Sequence, residues 1–178
     1  GGTLKTKKSS HLLSGNYESG NGSRYNTDFN HTKIFYQGNT HINAQNSLQV
    51  LGGYVRSKFG ANGFYAWPGD VESQEVVQTS LVHVRSKNHL SDALTLYPSI
   101  GLRYNYDDYR FYKDDLSKGR SRHYTTGIQA NINGEYIFEN ASIIYFGAQF
   151  TYDQINSTNM GDHHKNNYGF FLQYSTYL

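Results

Sequence analysis

The stretch ASIIYFGAQFTYD, from Ala141 to Asp153, decides the fold of this chain. In an extended backbone Ile144, Phe146 and Phe150 lie on one face, whereas Gln149 lies on the other. Apolar residues that recur with a period of two are typical of a β-strand with one apolar face. The stretch therefore predicts a long strand whose apolar face is rich in aromatic side chains.

Other segments of the chain alternate in the same way. We predict eight strands in all, at about 10–19, 24–37, 47–56, 73–87, 93–106, 122–134, 141–153 and 166–177. These strands are roughly 10–15 residues long, whereas strands of globular proteins are commonly about 5–6 residues long. A strand that crosses a membrane needs roughly 9–11 residues, so the lengths favour a membrane protein.

Composition separates a membrane barrel from the other classes of protein. Hydrophobic residues make up only 37% of the chain and the mean hydropathy is −0.71. A soluble domain is usually more apolar, and a disordered chain would not contain 17 tyrosines and 10 phenylalanines. A transmembrane barrel fits both observations, because only its lipid-facing side is apolar and its lumen and loops are polar.

Charge and motifs exclude several functions. The net charge of +2 and the lack of a basic stripe argue against nucleic acid as a partner. The chain has no cysteine and no recognisable catalytic motif, so we expect no enzymatic activity. It contains neither a long apolar helix nor a signal peptide, and an outer-membrane protein needs the latter for export. We therefore expect a mature chain or a fragment.

The connections between the predicted strands alternate between short turns and long polar loops. The long loops are predicted at 57–72, 107–121 and 154–165. In outer-membrane barrels the long loops are extracellular and the short turns periplasmic. The fold class expected is therefore an antiparallel transmembrane β-barrel in the outer membrane of a Gram-negative bacterium, and residues 1–10 form a basic lead-in before it.

Five segments carry a resemblance to a known family. They are GGTLK at 1–5, FGANGFYA at 59–66, GLRYNYDDYR at 101–110, STNMG at 157–161 and NNYG at 166–169. Together they resemble TonB-dependent outer-membrane receptors of the Bacteroidetes type, and the vitamin B12 transporters most among these. The first segment resembles the link from the plug domain into the barrel.

The resemblance implies a closed barrel of about 22 strands filled by an N-terminal plug. Such receptors import large scarce nutrients, such as cobalamin or ferric siderophores, with energy relayed by the TonB complex through the plug. Residues 11–178 would then be strands one to eight of the barrel, with the plug missing from this chain. The partners implied are outer-membrane lipid, the TonB complex and the nutrient, and the resemblance also allows a surface lipoprotein that caps the loops.

Two loops carry candidate binding residues. On the first long loop, aromatic rings could stack on a flat ligand and an amide could bind its polar groups, or the rings could pack the loop against its neighbours. These candidates are Phe59, Asn62, Phe64, Tyr65 and Trp67. On the second loop, carboxylates could hold calcium, although a solvated, salt-bridged loop is favoured. These candidates are Asp107, Asp108, Asp114 and Asp115. No other cofactor is expected.

The polar faces of the later strands would line the lumen. The residues expected there are Arg103, Gln129, Asn131, Asn133 and Gln149. They could contact the plug, water or a passing solute. An alternative to the transporter is a complete eight-stranded outer-membrane barrel with a structural or adhesive role, in which the first and eighth strands would pair.

Overall fold

The computed structural model describes residues 1–63 and 72–176, which form one antiparallel sheet. Nine strands follow one another in chain order, and each is hydrogen-bonded to the next. They are β1 (Gly2–Lys5), β2 (Ser9–Gly20), β3 (Phe29–His41), β4 (Asn46–Gly60), β5 (Gln74–His89), β6 (Leu94–Arg110), β7 (Arg120–Ile137), β8 (Ile143–Ser157) and β9 (Gly161–Ser175). The prediction of an all-β antiparallel fold is confirmed. In these two described ranges, no helix is long and apolar enough to cross a membrane.

The sheet has two chemically different faces, because residues paired across antiparallel strands share a face and chain neighbours lie on opposite faces. One paired row on β6 to β9 is apolar: Ile100, Ala130, Phe150 and Tyr168. The adjacent row, on the opposite face, is small or polar: Gly101, Gln129, Thr151 and Asn167. We call the face of Ile100 the apolar face and the face of Gln129 the polar face.

The strands are joined alternately at two ends of the sheet. At one end, the turn end, the connections are residues 6–8, 42–45, 90–93 and 138–142. At the other, the loop end, they are residues 21–28, 61–73, 111–119 and 158–160. The last of these differs from the predicted loop at 154–165, since β8 and β9 extend through most of that range. The Ser157 hydroxyl oxygen accepts the backbone N–H groups of Asn159 (3.2 Å) and Met160 (3.0 Å), which closes a tight turn.

Two further strand boundaries differ from the prediction. Part of the predicted lead-in at 1–10 is strand β1, which pairs with β2, so the sheet has nine strands rather than eight. Residues 24–28 were expected at the start of a strand and lie in a loop instead. Thr27 causes this locally, because its hydroxyl donates to the Arg24 carbonyl oxygen at 2.7 Å. Asn26, with a φ of 51°, adopts the left-handed conformation that a strand cannot contain.

The sheet is open within the part of the chain that the structure describes. β1 pairs only with β2 and β9 only with β8, and the two edge strands make no contact with each other. The first and last strands therefore do not close a small ring. Closure into a larger barrel, and the membrane location, stay predictions.

The sheet has almost no core of its own. Among the described residues the only buried hydrophobic side chains are Ala61 and Val76. Soluble domains bury an apolar face against a second layer of secondary structure. Here no second layer covers the described apolar face, and Phe170 and Leu172 are 82% and 75% exposed.

Candidate functional site

The polar face carries the residues that the sequence predicted for a lumen. Strand pairing places all five predicted residues on this one face: Arg103, Gln129, Asn131, Asn133 and Gln149. Two of them belong to a short hydrogen-bonded chain, in which the Asn131 amide donates to the Ser99 hydroxyl at 3.2 Å. Gln129 in turn donates to the Asn131 side-chain oxygen at 3.4 Å. That this face lines a lumen stays a prediction.

A shallow depression lies in the middle of the polar face. Its volume is about 380 Å³, and its floor is formed by Gly101 and Gly127. A Cβ atom at Gly127 would come within 3.3 Å of the Asp153 carboxylate and 3.8 Å of the Arg103 guanidinium, so these two groups flank the glycine. The depression therefore offers a cation, an anion and an amide (Gln129) around an open floor, which suits a polar solute.

The sequence analysis did not single out Asp153 as a site residue. Its place in the alternating stretch put it on the polar face, but nothing in the pattern showed that Arg103 would lie beside it. The contact requires β6, β7 and β8 to pair in their observed register, with Arg103, Gly127 and Asp153 in one row. A glycine between two oppositely charged residues in such a row is the signal that could have identified the depression.

The candidate binding loop is only partly described. Phe64, Tyr65 and Trp67 lie outside the described residues. Phe59 lies at the loop end of β4 on the polar face, between Phe29 and Glu75 of the neighbouring strands.

Asn62 joins two loops. Its amide donates to the Tyr25 carbonyl oxygen at 2.8 Å, and its backbone N–H donates to the Asn26 carbonyl oxygen at 3.2 Å. Its side chain therefore holds the loops together in this structure. Ligand contact by these residues stays a prediction.

The loop-end connections are tied together by further polar contacts. The Asn26 amide donates to the Ser73 carbonyl oxygen at 2.6 Å, and the Lys113 ammonium forms a salt bridge with Glu72. The Lys113 ammonium, followed by the Tyr25 hydroxyl, holds the pKa of the Glu72 carboxyl below its usual range. The Glu72 carboxylate in turn raises the pKa of the Lys113 ammonium. Three loops therefore meet in one polar assembly above the end of the sheet.

The four carboxylates proposed for calcium do not converge. Asp107 and Asp108 are neighbours on a strand and lie on opposite faces. Asp115 accepts hydrogen bonds from Ser117 (2.6 Å) and pairs with Lys118 (3.1 Å). In the described parts of the chain, no three His, Cys, Asp or Glu residues lie close enough to hold a metal ion. The geometry gives calcium no support, and its binding stays a prediction.

Asp107 belongs instead to a polar cluster at the loop end of the polar face. Strand pairing places it beside His123, and His123 lies beside Ser157, with 2.8 Å between Nδ1 and the hydroxyl oxygen. Ser157, His123 and Asp107 are thus arranged one beside the next, as in the catalytic triad of a serine hydrolase. However, the Ser157 oxygen already accepts two backbone N–H groups in the β8–β9 turn. The cluster therefore acts as a structural clamp on that turn, and it carries no proposal of catalysis.

The other carboxylate, Asp108, lies on the apolar face and is fully buried. It accepts hydrogen bonds from Arg110 (2.7 and 2.9 Å) and from Arg120 (2.7 and 3.0 Å). A buried carboxylate requires such partners, since an unpaired charge would be very unfavourable away from water. The three residues join β6 to β7 at the loop end.

Charged residues are distributed differently on the two faces. On the polar face they occur along the whole length of the strands, as at Lys33, Arg85, Arg103, Glu135, Asp153 and Lys165. On the apolar face the charged strand residues all lie near the loop end: Arg56, Lys58, Asp108, Arg110, Arg120, Arg122 and Asp162. The rest of the described apolar face carries no charge.

No protein-family model matches the chain, and no curated protein matches it at a significant level. Function therefore has to be argued from the sheet itself.

Proposed function

We propose that this chain forms part of the wall of a bacterial outer-membrane β-barrel that works as a TonB-dependent active transporter for a large scarce nutrient, such as cobalamin or a ferric siderophore. The observation that carries the proposal is the chemistry of the two faces. The apolar face is uncovered and free of charge except at the loop end, whereas the polar face is charged along its length.

The first step of the argument concerns the membrane. The apolar face of β6 carries apolar side chains from Leu94 to Tyr104. The apolar side chains of β9 on the same face are exposed as well. Water would disfavour so large an uncovered apolar surface, which in soluble proteins marks an interaction site. Hydrocarbon is an environment in which the surface is stable, and transmembrane barrels have this alternation of lipid-facing and lumen-facing residues.

The second step concerns aromatic residues near the level of the first charges. Tyr106 and Tyr124 are paired across β6 and β7, and their ring centres are 5.0 Å apart. They lie between the apolar rows and the charged row that contains Asp108. Aromatic girdles at the membrane–water interface are a general feature of outer-membrane barrels. Their position supports a membrane boundary at this level.

The third step concerns transport rather than adhesion. A complete eight-stranded barrel would require the edge strands to pair, and β1 and β9 do not pair in the described structure. Exposed strand edges readily pair with further strands, which suits the wall of a larger barrel. A wide lumen would accommodate the depression at Gly101 and Gly127 and a plug. The other elements of the proposal rest on the family resemblance alone. These are a plug, coupling to the TonB complex, and a surface lipoprotein as a further partner.

Uptake by the whole protein tests this function. The protein would be produced in a Gram-negative strain that lacks its own receptors, and uptake of radiolabelled cobalamin and of ferric siderophores would be measured with and without an uncoupler. The proposal expects uptake of one nutrient that stops when the proton-motive force collapses. A protein that inserts into the outer membrane as a closed small barrel and imports none of them would contradict it.

A further inference from the structure

We propose that the basic residues at the loop end of the apolar face bind phosphate groups of an anionic glycolipid headgroup in the outer leaflet. This inference rests on the proposed membrane location. The residues concerned, which we call the basic rim, are Arg56, Lys58, Arg110, Arg120 and Arg122. Their position and charge carry the argument.

The position of the rim is set by strand pairing. Lys58, Val76, Asp108 and Arg122 form one paired row across β4 to β7, and Arg110 and Arg120 are paired in the row above it. Both rows lie beyond the aromatic pair of Tyr106 and Tyr124, whereas Arg56 lies in the same row as that pair. If the apolar face contacts hydrocarbon, the rim lies at the depth of the lipid headgroups. It also faces lipid rather than lumen, because it shares a face with the apolar rows.

The charge of the rim exceeds what the protein neutralises. One carboxylate, Asp108, pairs with two arginines, so the group remains positive. Within the described residues, Lys58 and Arg122 form no salt bridge. Anionic headgroups attract such basic clusters, and phosphate is the anion whose geometry suits a guanidinium.

Asp108 also fixes the arginines in a suitable orientation. It contacts Nε and Nη2 of both guanidinium groups, and its own side chain is only 1% exposed. Asp108 uses neither of the N–H donors on Nη1 of Arg110 or of Arg120, although Arg120 also interacts with the Tyr106 side chain. Because a buried carboxylate holds the two side chains, little conformational freedom is lost when a phosphate binds.

Lipid binding to the whole protein in detergent tests the proposal. The probe is bis-phosphorylated lipid A, titrated and counted by native mass spectrometry, with the dephosphorylated glycolipid as the lipid control. The test variant is Lys58→Gln combined with Arg122→Gln, which leaves the salt bridges of Asp108 intact. The matched control is Lys33→Gln combined with Arg85→Gln, which removes the same charge from the polar face.

We expect the rim variant to bind lipid A roughly 30-fold more weakly, since each basic residue near a membrane surface contributes roughly fivefold. The control should keep its affinity, and the dephosphorylated lipid should not distinguish the proteins. Equal affinity of the rim variant and the native protein, or equal weakening in the control, would overturn the proposal. Competition by millimolar inorganic phosphate as strong as that by lipid A would overturn it too, because the site would then recognise free phosphate.

Insertion into phosphatidylcholine vesicles separates the two proposals. This zwitterionic lipid tests the apolar face without the rim. If the protein inserts but shows no preference for the phosphorylated lipid, only the headgroup proposal fails. If it inserts into no vesicle, the membrane location fails and the headgroup proposal with it.

Discussion

An arginine at Ile100 should destabilise the protein strongly in a bilayer and hardly at all in water. Leu94 to Tyr104 on β6 spans roughly 34 Å along the strand. With the usual tilt of barrel strands this covers roughly 26 Å of membrane thickness, close to the apolar band of outer-membrane barrels. Ile100 lies about 3 Å from the middle of this span and Tyr104 about 13 Å from it.

The expected magnitudes follow from these depths. Ile100→Arg should lower the free energy of unfolding by about 2–4 kcal/mol, and Tyr104→Arg by about 0–1 kcal/mol. Ile100 is 47% exposed in the sheet, so in a water-soluble protein the same change would alter stability by no more than about 0.5 kcal/mol. The two environments therefore predict different results for one substitution.

Urea-induced unfolding of the whole protein from phosphatidylcholine bilayers provides the assay. Ser99→Arg is the matched control, because Ser99 is the chain neighbour of Ile100 and lies on the polar face. Its effect should be no more than about 1 kcal/mol, because this change removes only the hydrogen bond that the Ser99 hydroxyl accepts from Asn131. Equal effects of Ile100→Arg and Ser99→Arg would refute the assignment of the apolar face to lipid.

Three further predictions concern the loop end. Asp108→Asn should lower the free energy of unfolding by about 3 kcal/mol, because it removes the buried charge that pairs with Arg110 and Arg120; an unchanged urea midpoint would contradict this. Glu72 has a lowered pKa, so its bond to Lys113 stabilises the folded state above the ordinary pKa of 4.5 and is lost as the pH falls through the folded value. The protection factor for hydrogen exchange at the Lys113 amide should therefore fall below pH 4.5 in the native protein, and Glu72→Gln should remove this fall. Gly60→Ala should loosen the loop at 21–28, since its Cβ would lie 2.5 Å from the Asn26 carbonyl oxygen, and limited proteolysis there should accelerate; native-like resistance would argue against it.

The strands and their faces could be predicted because both depend on local alternation. The stretch at Ala141 to Asp153 gave the two faces of β8 correctly, and strand pairing places the five predicted polar residues on one face. The turn at 158–160 could not be recognised, because the residues around it are polar on both faces and resemble a loop. What closes it is the Ser157 hydroxyl, whose contacts with two backbone N–H groups depend on the folded geometry.

The site was harder to predict than the fold, because it depends on contacts between distant segments. The pattern placed Asp107 and Asp108 together as calcium ligands, whereas strand geometry separates them onto opposite faces. Their partners, His123 and Arg120, follow a loop and are set by the register of β6 against β7. Such a register cannot be read from charge or composition alone.

Quenching by lipid is the most direct test of the central claim, that the apolar face contacts hydrocarbon. The chain has no cysteine, so single cysteines at Ser99, Ile100, Leu102 and Arg103 can each carry a bimane label without interference. In bilayers of phosphatidylcholine brominated on its acyl chains, the account predicts strong quenching at Ile100 and Leu102 and little at Ser99 and Arg103. Equal quenching at all four positions, or none at Ile100 and Leu102, would contradict it.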